Sequence, residues 1–289
     1  MMNQHEISLI VGGDGQLGES IKSYLLNIHE PFIETTRRKN SITPTRLFLD
    51  LNENIDFWEP PKNVSVVYLC AALTSIEGCA IDPIKSELIN VHNTLKIAKK
   101  CLENDIFVVF PSTNLVFDGT KPFQKFDDVP SPKTEYGRQK AETEKRLLTL
   151  GKKIVIVRFT KIISPHTSLI NNWLDLLQNQ KQINPFSDMV MAPIPNSLAA
   201  DILYRLASNQ LQGVFQLSGV DITYEKVAYH IADRIGVKHD LIKPIKTLES
   251  NIFIEYLPKN TTLDSSRIIE LFNVKIPDPL SVVDETFKL

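Results

Sequence analysis

The sequence predicts an α/β protein with a doubly wound parallel sheet and a smaller C-terminal lobe. Short apolar runs alternate with helical patterns along the first 160 residues, as strands and helices do in parallel sheets. Glycines spaced three apart follow the first apolar run. A chain of 289 residues can bury one large core and a smaller one. We expect residues 1–160, with a return around 190–220, to form the sheet domain, and residues 161–289 to form mainly the second lobe.

The overall composition fits an ordinary globular protein, with 43% hydrophobic and 23% charged residues and a net charge of -2. No basic run is long enough to suggest nucleic-acid binding. The first apolar run ends after five residues at Gly12, so we expect no membrane insertion. Cys70, Cys79 and Cys101 are irregularly spaced. This pattern favours reduced thiols in a cytoplasmic protein and predicts no metal site.

The first strand, residues 7–11, leads directly into a glycine-rich turn and a helical pattern. Gly12, Gly15 and Gly18 allow a tight turn, a close approach of the backbone to a pyrophosphate, and close helix–sheet packing. Gln16 and Leu17 lie between the glycines, where free helix amides face the phosphates. The sequence therefore predicts a dinucleotide-binding Rossmann turn, with a turn that binds no ligand as the alternative.

The second strand, residues 31–36, is followed by Arg37 and Arg38. Enzymes of this architecture that use NAD usually place an acidic residue here to hold the ribose hydroxyls. Two arginines suit a 2′-phosphate instead, so we expect NADP(H) as the cofactor. NAD(H) remains open, because the arginines could also belong to a solvated basic loop.

The next predicted strand, residues 48–51, ends near Asp50 and Leu51, and the Asp50 carboxylate could accept from the adenine amino group. The strand over residues 64–70 leads into Ala71 and Ala72, whose small side chains let a cofactor lie against the backbone. We assign Thr74, just beyond them, to the substrate side. A helix is predicted over residues 83–102 and a fifth strand over residues 106–110.

The candidate catalytic groups follow that fifth strand. Tyr136 begins a helical stretch, and Lys140, four residues on, projects from the same face. A lysine ammonium beside the phenol is expected to lower the phenol's pKa and make it a workable proton donor to a carbonyl oxygen. Ser112 and Thr113 stand where the strand ends, the edge at which ligands bind in such sheets.

These motifs together resemble the extended short-chain dehydrogenase/reductases, in particular the dTDP-4-dehydrorhamnose reductase branch. The matching segments span nearly the whole chain: Gly12-x-x-Gly15-x-x-Gly18, Asp50-Leu51, Ala71-Ala72, Asn90, Ser112-Thr113-x-x-Val116-Phe117-x-Gly119, Tyr136-x-x-x-Lys140 and Leu263-Asp264-Ser265-Ser266. The resemblance implies Thr113 as the substrate-orienting hydroxyl, with Ser112 as its rival. It also implies Tyr136 as the proton donor, Lys140 as the bridge to the nicotinamide ribose, and Asn90 as part of a proton relay around the lysine.

The activity that the resemblance implies is reduction by NADPH of the 4-keto group of a nucleotide-linked 4-keto-6-deoxy sugar, for surface polysaccharide synthesis. Dehydratases of the superfamily carry an Asp-Glu pair where this chain has Asn114 and Leu115, so dehydration is not expected. An epimerase is an alternative, as is a regulatory subunit like the beta subunit of methionine adenosyltransferase. A homodimer is a further expectation.

The sixth predicted strand, residues 153–159, is followed by a departure from the reductase pattern. Reductases of the branch tend to carry a Thr-Ser-Trp segment after the strand's arginine, whereas this chain has Arg158-Phe159-Thr160-Lys161-Ile162. We expect Lys161, together with Asn114, to contact the substrate. Beyond this point the sequence predicts helices over residues 168–177, 196–207, 224–235 and 265–272. It also predicts a strand over 213–218 and short strands in the tail.

Overall fold

A computed structural model gives the structure of the protein and describes residues 7–289. Its strands are β1 (Ile7–Val11), β2 (Phe32–Thr36), β3 (Arg46–Phe48), β4 (Val64–Leu69), β5 (Phe107–Thr113), β6 (Ile154–Phe159), β7 (Lys161–Ile163), β8 (Val190–Met191), β9 (Pro193–Pro195), β10 (Gly213–Leu217) and β11 (Ile222–Thr223). Its α-helices are α1 (Gln16–Asn27), α2 (Ile76–Ile81), α3 (Pro83–Glu87), α4 (Thr94–Glu103), α5 (Glu135–Leu150), α6 (Ser168–Gln178), α7 (Asn196–Ser208), α8 (Tyr224–Ile235), α9 (Ser266–Phe272) and α10 (Pro279–Phe287).

Seven strands form one parallel sheet in the order β10-β6-β5-β4-β1-β2-β3. The central strands are buried on both faces, which explains why they read as continuous apolar runs. The strand order reverses beside β1, and ligands bind in such sheets at the carboxyl edge near that point. The predicted doubly wound α/β fold is confirmed. Strand β10 supplies the return to the sheet expected around residues 190–220.

Helices cover both faces of the sheet and form an apolar core with each face, and a third apolar core lies outside the sheet. One cluster includes Val67, Val108 and Ile97 from α4, and the opposite one includes Ile10, Val109 and Leu203 from α7; α5 packs on the α4 side. The third cluster lies entirely within residues 163–289 and joins α6, α8 and α10. The C-terminal segment thus has a core of its own.

The helix predicted over residues 83–102 is confirmed in its extent, but it is not a regular α-helix throughout. After α3 the chain forms a π-helical segment over Leu88–Asn93 before α4 begins. The Thr94 hydroxyl donates to the carbonyl of Ile89, five residues back, at 2.9 Å. This wider turn coincides with Asn90, whose amide makes bonds outside the helix, and such π segments are frequent at functional sites.

Other differences concern short elements. The strand predicted over residues 48–51 instead covers Arg46–Phe48, because Asp50 closes a turn in which its side chain accepts from the Asn52 amide at 2.9 Å. Helices α2 and α10 were not predicted. The tail contains α9 and α10 but no strand of a sheet within the described residues. None of the helices described over residues 7–289 combines the length and apolar content needed to cross a membrane.

Candidate functional site

The glycine turn connects β1 to α1 at the carboxyl edge of the sheet. Gly12 has a positive φ of 90°, and its amide donates to the Thr35 hydroxyl at 3.0 Å. A Cβ atom on Gly12 would lie 2.6 Å from the backbone nitrogen of Ala71, and one on Gly18 would collide with the Gly12 carbonyl oxygen. Gly15 faces open space apart from an ordinary contact at 3.5 Å. The turn is therefore closed toward the protein and open on its outer side, where a pyrophosphate fits.

The end of β2 carries a cluster of charges. The Asp14 carboxylate accepts from the Thr36 hydroxyl at 2.6 Å and is paired with Arg46. Arg38 is mostly exposed, with its Nε 3.9 Å from Asp14, and Arg37 is exposed as well. Arg46 is shared with the buried Glu34 carboxylate at 3.5 Å, so Arg37 and Arg38 are the arginines at this corner that lie exposed to a ligand.

The helix α5 begins against the strand that bears the candidate hydroxyls. The Thr134 hydroxyl accepts from the Gly137 amide at 3.1 Å, and the Glu255 carboxylate accepts from the Glu135 amide at 2.9 Å. A Cβ atom on Gly137 would collide with the carbonyl oxygen of Leu115. Glycine at this position therefore lets α5 approach the segment after β5, bringing Tyr136 close to Ser112 and Thr113.

Lys140 lies one turn further along α5 and is 5% exposed. Its ammonium donates to the Pro111 carbonyl at 2.8 Å and stands 4.3 Å from the ring centroid of Phe110. Burial lowers the pKa of Lys140 to about 8, outweighing the opposing attraction from Glu144.

The prediction that Lys140 lowers the pKa of the Tyr136 phenol is wrong for this structure. Burial, followed by the nearby Cys79 thiol, raises the pKa of the Tyr136 phenol above its ordinary value. The Lys140 ammonium lies 6.0 Å from the centroid of the Tyr136 ring and donates to Pro111 rather than to the phenol oxygen. Tyr136 consequently keeps its proton at neutral pH, as a proton donor must.

The two candidate hydroxyls differ in their partners. Thr113 Oγ1 accepts from the Leu115 amide at 3.2 Å and lies 3.3 Å from Asn114 Oδ1. Ser112 Oγ is buried without a hydrogen-bond partner among the described residues. Both residues line the same cavity, so the choice of Thr113 over Ser112 stays a prediction.

Asn90 is 2% exposed and ties the π-helical segment to its surroundings. Its side chain accepts from the Leu73 amide at 2.8 Å and donates to the Leu73 carbonyl at 3.0 Å and the Gln139 side chain at 2.8 Å. It makes no hydrogen bond to Lys140 within residues 7–289. Asn90 therefore fixes the loop after β4 against α5, and its part in a proton relay stays a prediction.

A cavity of about 450 Å³ opens at the carboxyl edge of the sheet and brings most of the predicted site residues together. Those that line it are Gly15, Gln16, Leu17, Ala72, Thr74, Thr113, Asn114, Tyr136, Lys140 and Lys161. The unpartnered Ser112 hydroxyl and the Lys140 ammonium, with one acceptor in the described chain, offer polar groups for an incoming ligand. These residues and the open side of the glycine turn fit a nicotinamide dinucleotide.

The other predicted cofactor residues lie outside the cavity lining. Gly12, Gly18 and Ala71 shape the turn from behind. Leu51 is buried, and its carbonyl accepts from the Asn93 side chain at 2.8 Å. Asp50, Arg37 and Arg38 stand beyond the turn. Whether these residues contact a cofactor stays a prediction.

Sequence reasoning missed the wall of the cavity that faces the sheet. This wall is contributed by chain segments far from the motifs, including Met189, Met191, Tyr224, Tyr256 and Pro258. No local pattern marks these residues. The one sequence signal for this wall was the weaker match to the reductase pattern beyond residue 160, since the residues that bind substrate differ between related enzymes. Within residues 7–289, no group of three or more His, Cys, Asp or Glu side chains is arranged to hold a metal ion.

Comparison with known families gives a match over nearly the full length of the chain. The model of the family described as "RmlD substrate binding domain" matches residues 7–288. A dTDP-4-dehydrorhamnose reductase of Aggregatibacter actinomycetemcomitans is 24% identical, over 93% of this chain and 94% of the relative. Subunit beta of methionine adenosyltransferase 2 from Rattus norvegicus is 27% identical over 70% of this chain, but over only 64% of that subunit.

Solved structures show the same architecture. A hypothetical dTDP-4-dehydrorhamnose reductase from Sulfolobus tokodaii superposes with a TM-score of 0.82 at 25% identity, covering 95% of this chain and 98% of the other. The dTDP-4-dehydrorhamnose reductase of Bacillus anthracis, solved in complex with NADP, gives a TM-score of 0.83 at 18% identity. It covers 100% of this chain and 99% of the other, a likeness in fold.

Proposed function

The chain belongs to the RmlD substrate-binding domain family, and from this premise we propose that it reduces a keto sugar with NADPH. The substrate class is a nucleotide-linked 4-keto-6-deoxy sugar, and the product serves surface polysaccharide or deoxysugar synthesis. The dTDP-4-dehydrorhamnose reductase relative, matched over 93% of this chain, supports this class of reaction. NADP(H) is the proposed cofactor, and NAD(H) is the second choice.

The observation that carries the proposal is that one cavity joins the glycine turn to the catalytic groups. Gly15, Thr113, Tyr136 and Lys140 all line it. Bound NADPH would supply a hydride to the C4 carbonyl carbon of the sugar. Everything else that the reaction needs is a proton, a hydrogen-bond donor and a stabilising charge, and the chain's own side chains provide these.

Tyr136 holds the proton that the carbonyl oxygen receives. Burial keeps the pKa of Tyr136 high, so the phenol is protonated before the reaction. Its tendency to give up the proton grows as negative charge develops on the ketone oxygen. Thr113 orients that oxygen through its hydroxyl. The Lys140 ammonium stabilises the phenolate that forms, which then regains a proton from solvent.

A spectrophotometric assay tests this proposal. The full-length protein is mixed with NADPH and a panel of 4-keto-6-deoxy sugar nucleotides, and nicotinamide absorbance is followed while the sugar product is identified. We expect one NADPH oxidised for each alcohol formed. An epimerase would change the sugar without net NADPH oxidation, and a regulatory subunit would bind NADPH without turning over any keto sugar. Either result contradicts the proposal.

The finer organisation belongs to the same proposal. We assign cofactor binding mainly to residues 1–160 and substrate binding mainly to 161–289, in agreement with the separate core of the C-terminal segment. The three cysteines are unpaired thiols, which supports a cytoplasmic location. A homodimer is proposed as well, on the general ground that helices flanking such sheets often pair. Light scattering on the purified protein tests the dimer.

A further inference from the structure

Lys161 lines the cavity and is held in place there by its backbone. Its amide donates to the Ala192 carbonyl at 3.2 Å, where β7 pairs with β9. The preceding Thr160 is fixed as well, since its hydroxyl accepts from the Gly219 amide at 3.1 Å. Phe159, the last residue of β6, is the register partner of Thr113. Lys161, two residues beyond Phe159, therefore lies at the same edge of the sheet as the proposed catalytic residue Thr113.

The Lys161 side chain has no counterion within residues 7–289. No hydrogen bond or ion pair joins its ammonium to any other part of the chain that the structure describes. Lys161 is exposed to solvent, and the neighbouring cavity wall lowers the pKa of its ammonium by partial desolvation. An unpaired ammonium on the wall of a binding cavity is free to pair with an anionic group of a bound ligand.

The cavity as a whole has an unbalanced charge. Lys140 and Lys161 both line it, and its lining within the described chain contains no aspartate or glutamate. Lys140 lies at the catalytic end, one helical turn from Tyr136, where the proposed function assigns its ammonium to the cofactor and the phenol. Lys161 therefore remains as the cation that a substrate anion can meet.

We propose that Lys161 is the anion-binding residue of the substrate subsite, pairing its ammonium with an oxyanion of the nucleotide sugar. This rests on the proposed function and narrows it, because the substrate must carry a negative group near the mouth of the cavity. That oxyanion has two sources, the diphosphate of the nucleotide or a carboxylate on the sugar. A ligand bound against the apolar and aromatic side chains of the same cavity, among them Met191 and Tyr224, would strengthen this pairing by displacing water.

Calorimetry on three variants of the full chain, each loaded with NADPH, tests the inference. Lys161→Met removes the charge with little loss of volume, Lys161→Arg keeps it, and Lys181→Met is a control at an exposed lysine outside the cavity lining. The probes are thymidine and uridine diphosphates, UDP-glucose and UDP-glucuronic acid. Because a charge-assisted hydrogen bond is lost, we expect Lys161→Met to raise the Kd by about tenfold or more for each probe that carries the anion bound by Lys161.

The probes separate the two sources of negative charge. Weaker binding of the free nucleoside diphosphates assigns the contact to the diphosphate, whereas a loss confined to UDP-glucuronic acid assigns it to a sugar carboxylate. Lys161→Arg and Lys181→Met should stay within about threefold of the wild type. All three variants should bind NADPH alike.

Two results would overturn the inference. In one, Lys161→Met binds every probe as the wild type does. In the other, the wild type binds none of the probes. Failure of the proposed function would show itself differently, as NADPH oxidation absent with every keto sugar while the dependence of probe binding on Lys161 persists.

Discussion

At the scale of single residues, the site depends on one phenol that stays protonated until a ketone arrives. Replacing Tyr136→Phe removes that proton and little else, because the ring keeps its place at the cavity wall. We expect kcat to fall by about 10²–10⁴-fold, the usual contribution of a positioned general acid. The Kd for NADPH, measured by fluorescence titration, should change by less than about threefold. Turnover near the wild-type rate would exclude Tyr136 as the proton donor.

The protonation of Lys140 sets the expected pH dependence. Burial lowers its pKa to about 8, so the ammonium is present below that pH and is lost as the pH rises through it. Only the charged form stabilises the developing phenolate of Tyr136. We therefore expect kcat/KM for NADPH, which reports on the free enzyme, to fall above about pH 8.

A matched variant separates Lys140 from other titrating groups. In Lys140→Arg the charge persists over the whole accessible range, so the break in the profile near pH 8 should disappear even if the overall rate is lower. A wild-type profile that stays flat from pH 7 to about 9.5, or an unchanged break in the arginine variant, would assign the lysine no such role.

Cofactor choice is also decided by single residues. Arg37 and Arg38 are exposed at the end of β2, whereas Arg46 is paired with both Asp14 and Glu34. We expect a double Arg37→Ser, Arg38→Ser variant to bind NADPH about tenfold or more weakly, because the 2′-phosphate loses its cations. Affinity for NADH should change by less than about twofold, and Lys39→Ala serves as the neighbouring control. If the affinities for NADPH and NADH fell equally, the two arginines would not be a specific site for the 2′-phosphate.

At the scale of elements, the junction between β5 and α5 places the catalytic groups, and it depends on the missing side chain of Gly137. A methyl group there would collide with the Leu115 carbonyl oxygen. Although alanine is the better helix former by about 1 kcal/mol, we expect Gly137→Ala to lower the free energy of unfolding by about 1–3 kcal/mol. Urea denaturation measures it.

The same helix supplies the control for that prediction. Gly151 directly follows α5, and a Cβ atom added to it would meet no other atom of the described residues within 4 Å. Gly151→Ala should therefore change the free energy of unfolding by about 0.5 kcal/mol or less. If Gly137→Ala proves more stable than the wild type, helix propensity would outweigh the collision, and close contact between α5 and Leu115 would not be a requirement of the fold.

At the scale of the whole molecule, the features predicted correctly are those encoded locally. A few consecutive residues determine each of these features, namely the apolar runs of β1, β4, β5 and β6 and the glycine turn. The spacing of Tyr136 and Lys140 is likewise local. Features that depend on distant partners were missed or mistaken. The π-helical turn at Asn90 accompanies hydrogen bonds of the Asn90 side chain to Leu73 and Gln139. The raised pKa of Tyr136 results from its burial in the folded chain.

An isotope label follows directly whether the folded chain places a ketone between a bound nicotinamide and Tyr136. The protein is supplied with NADPH that carries deuterium at the transferable position of the nicotinamide, together with the keto sugar nucleotide that it turns over. We expect one deuterium at C4 of every molecule of sugar alcohol by NMR and mass spectrometry, and the Tyr136→Phe variant should form far less of this alcohol in the same time. An alcohol without deuterium at C4, or with label at another carbon, would contradict the account.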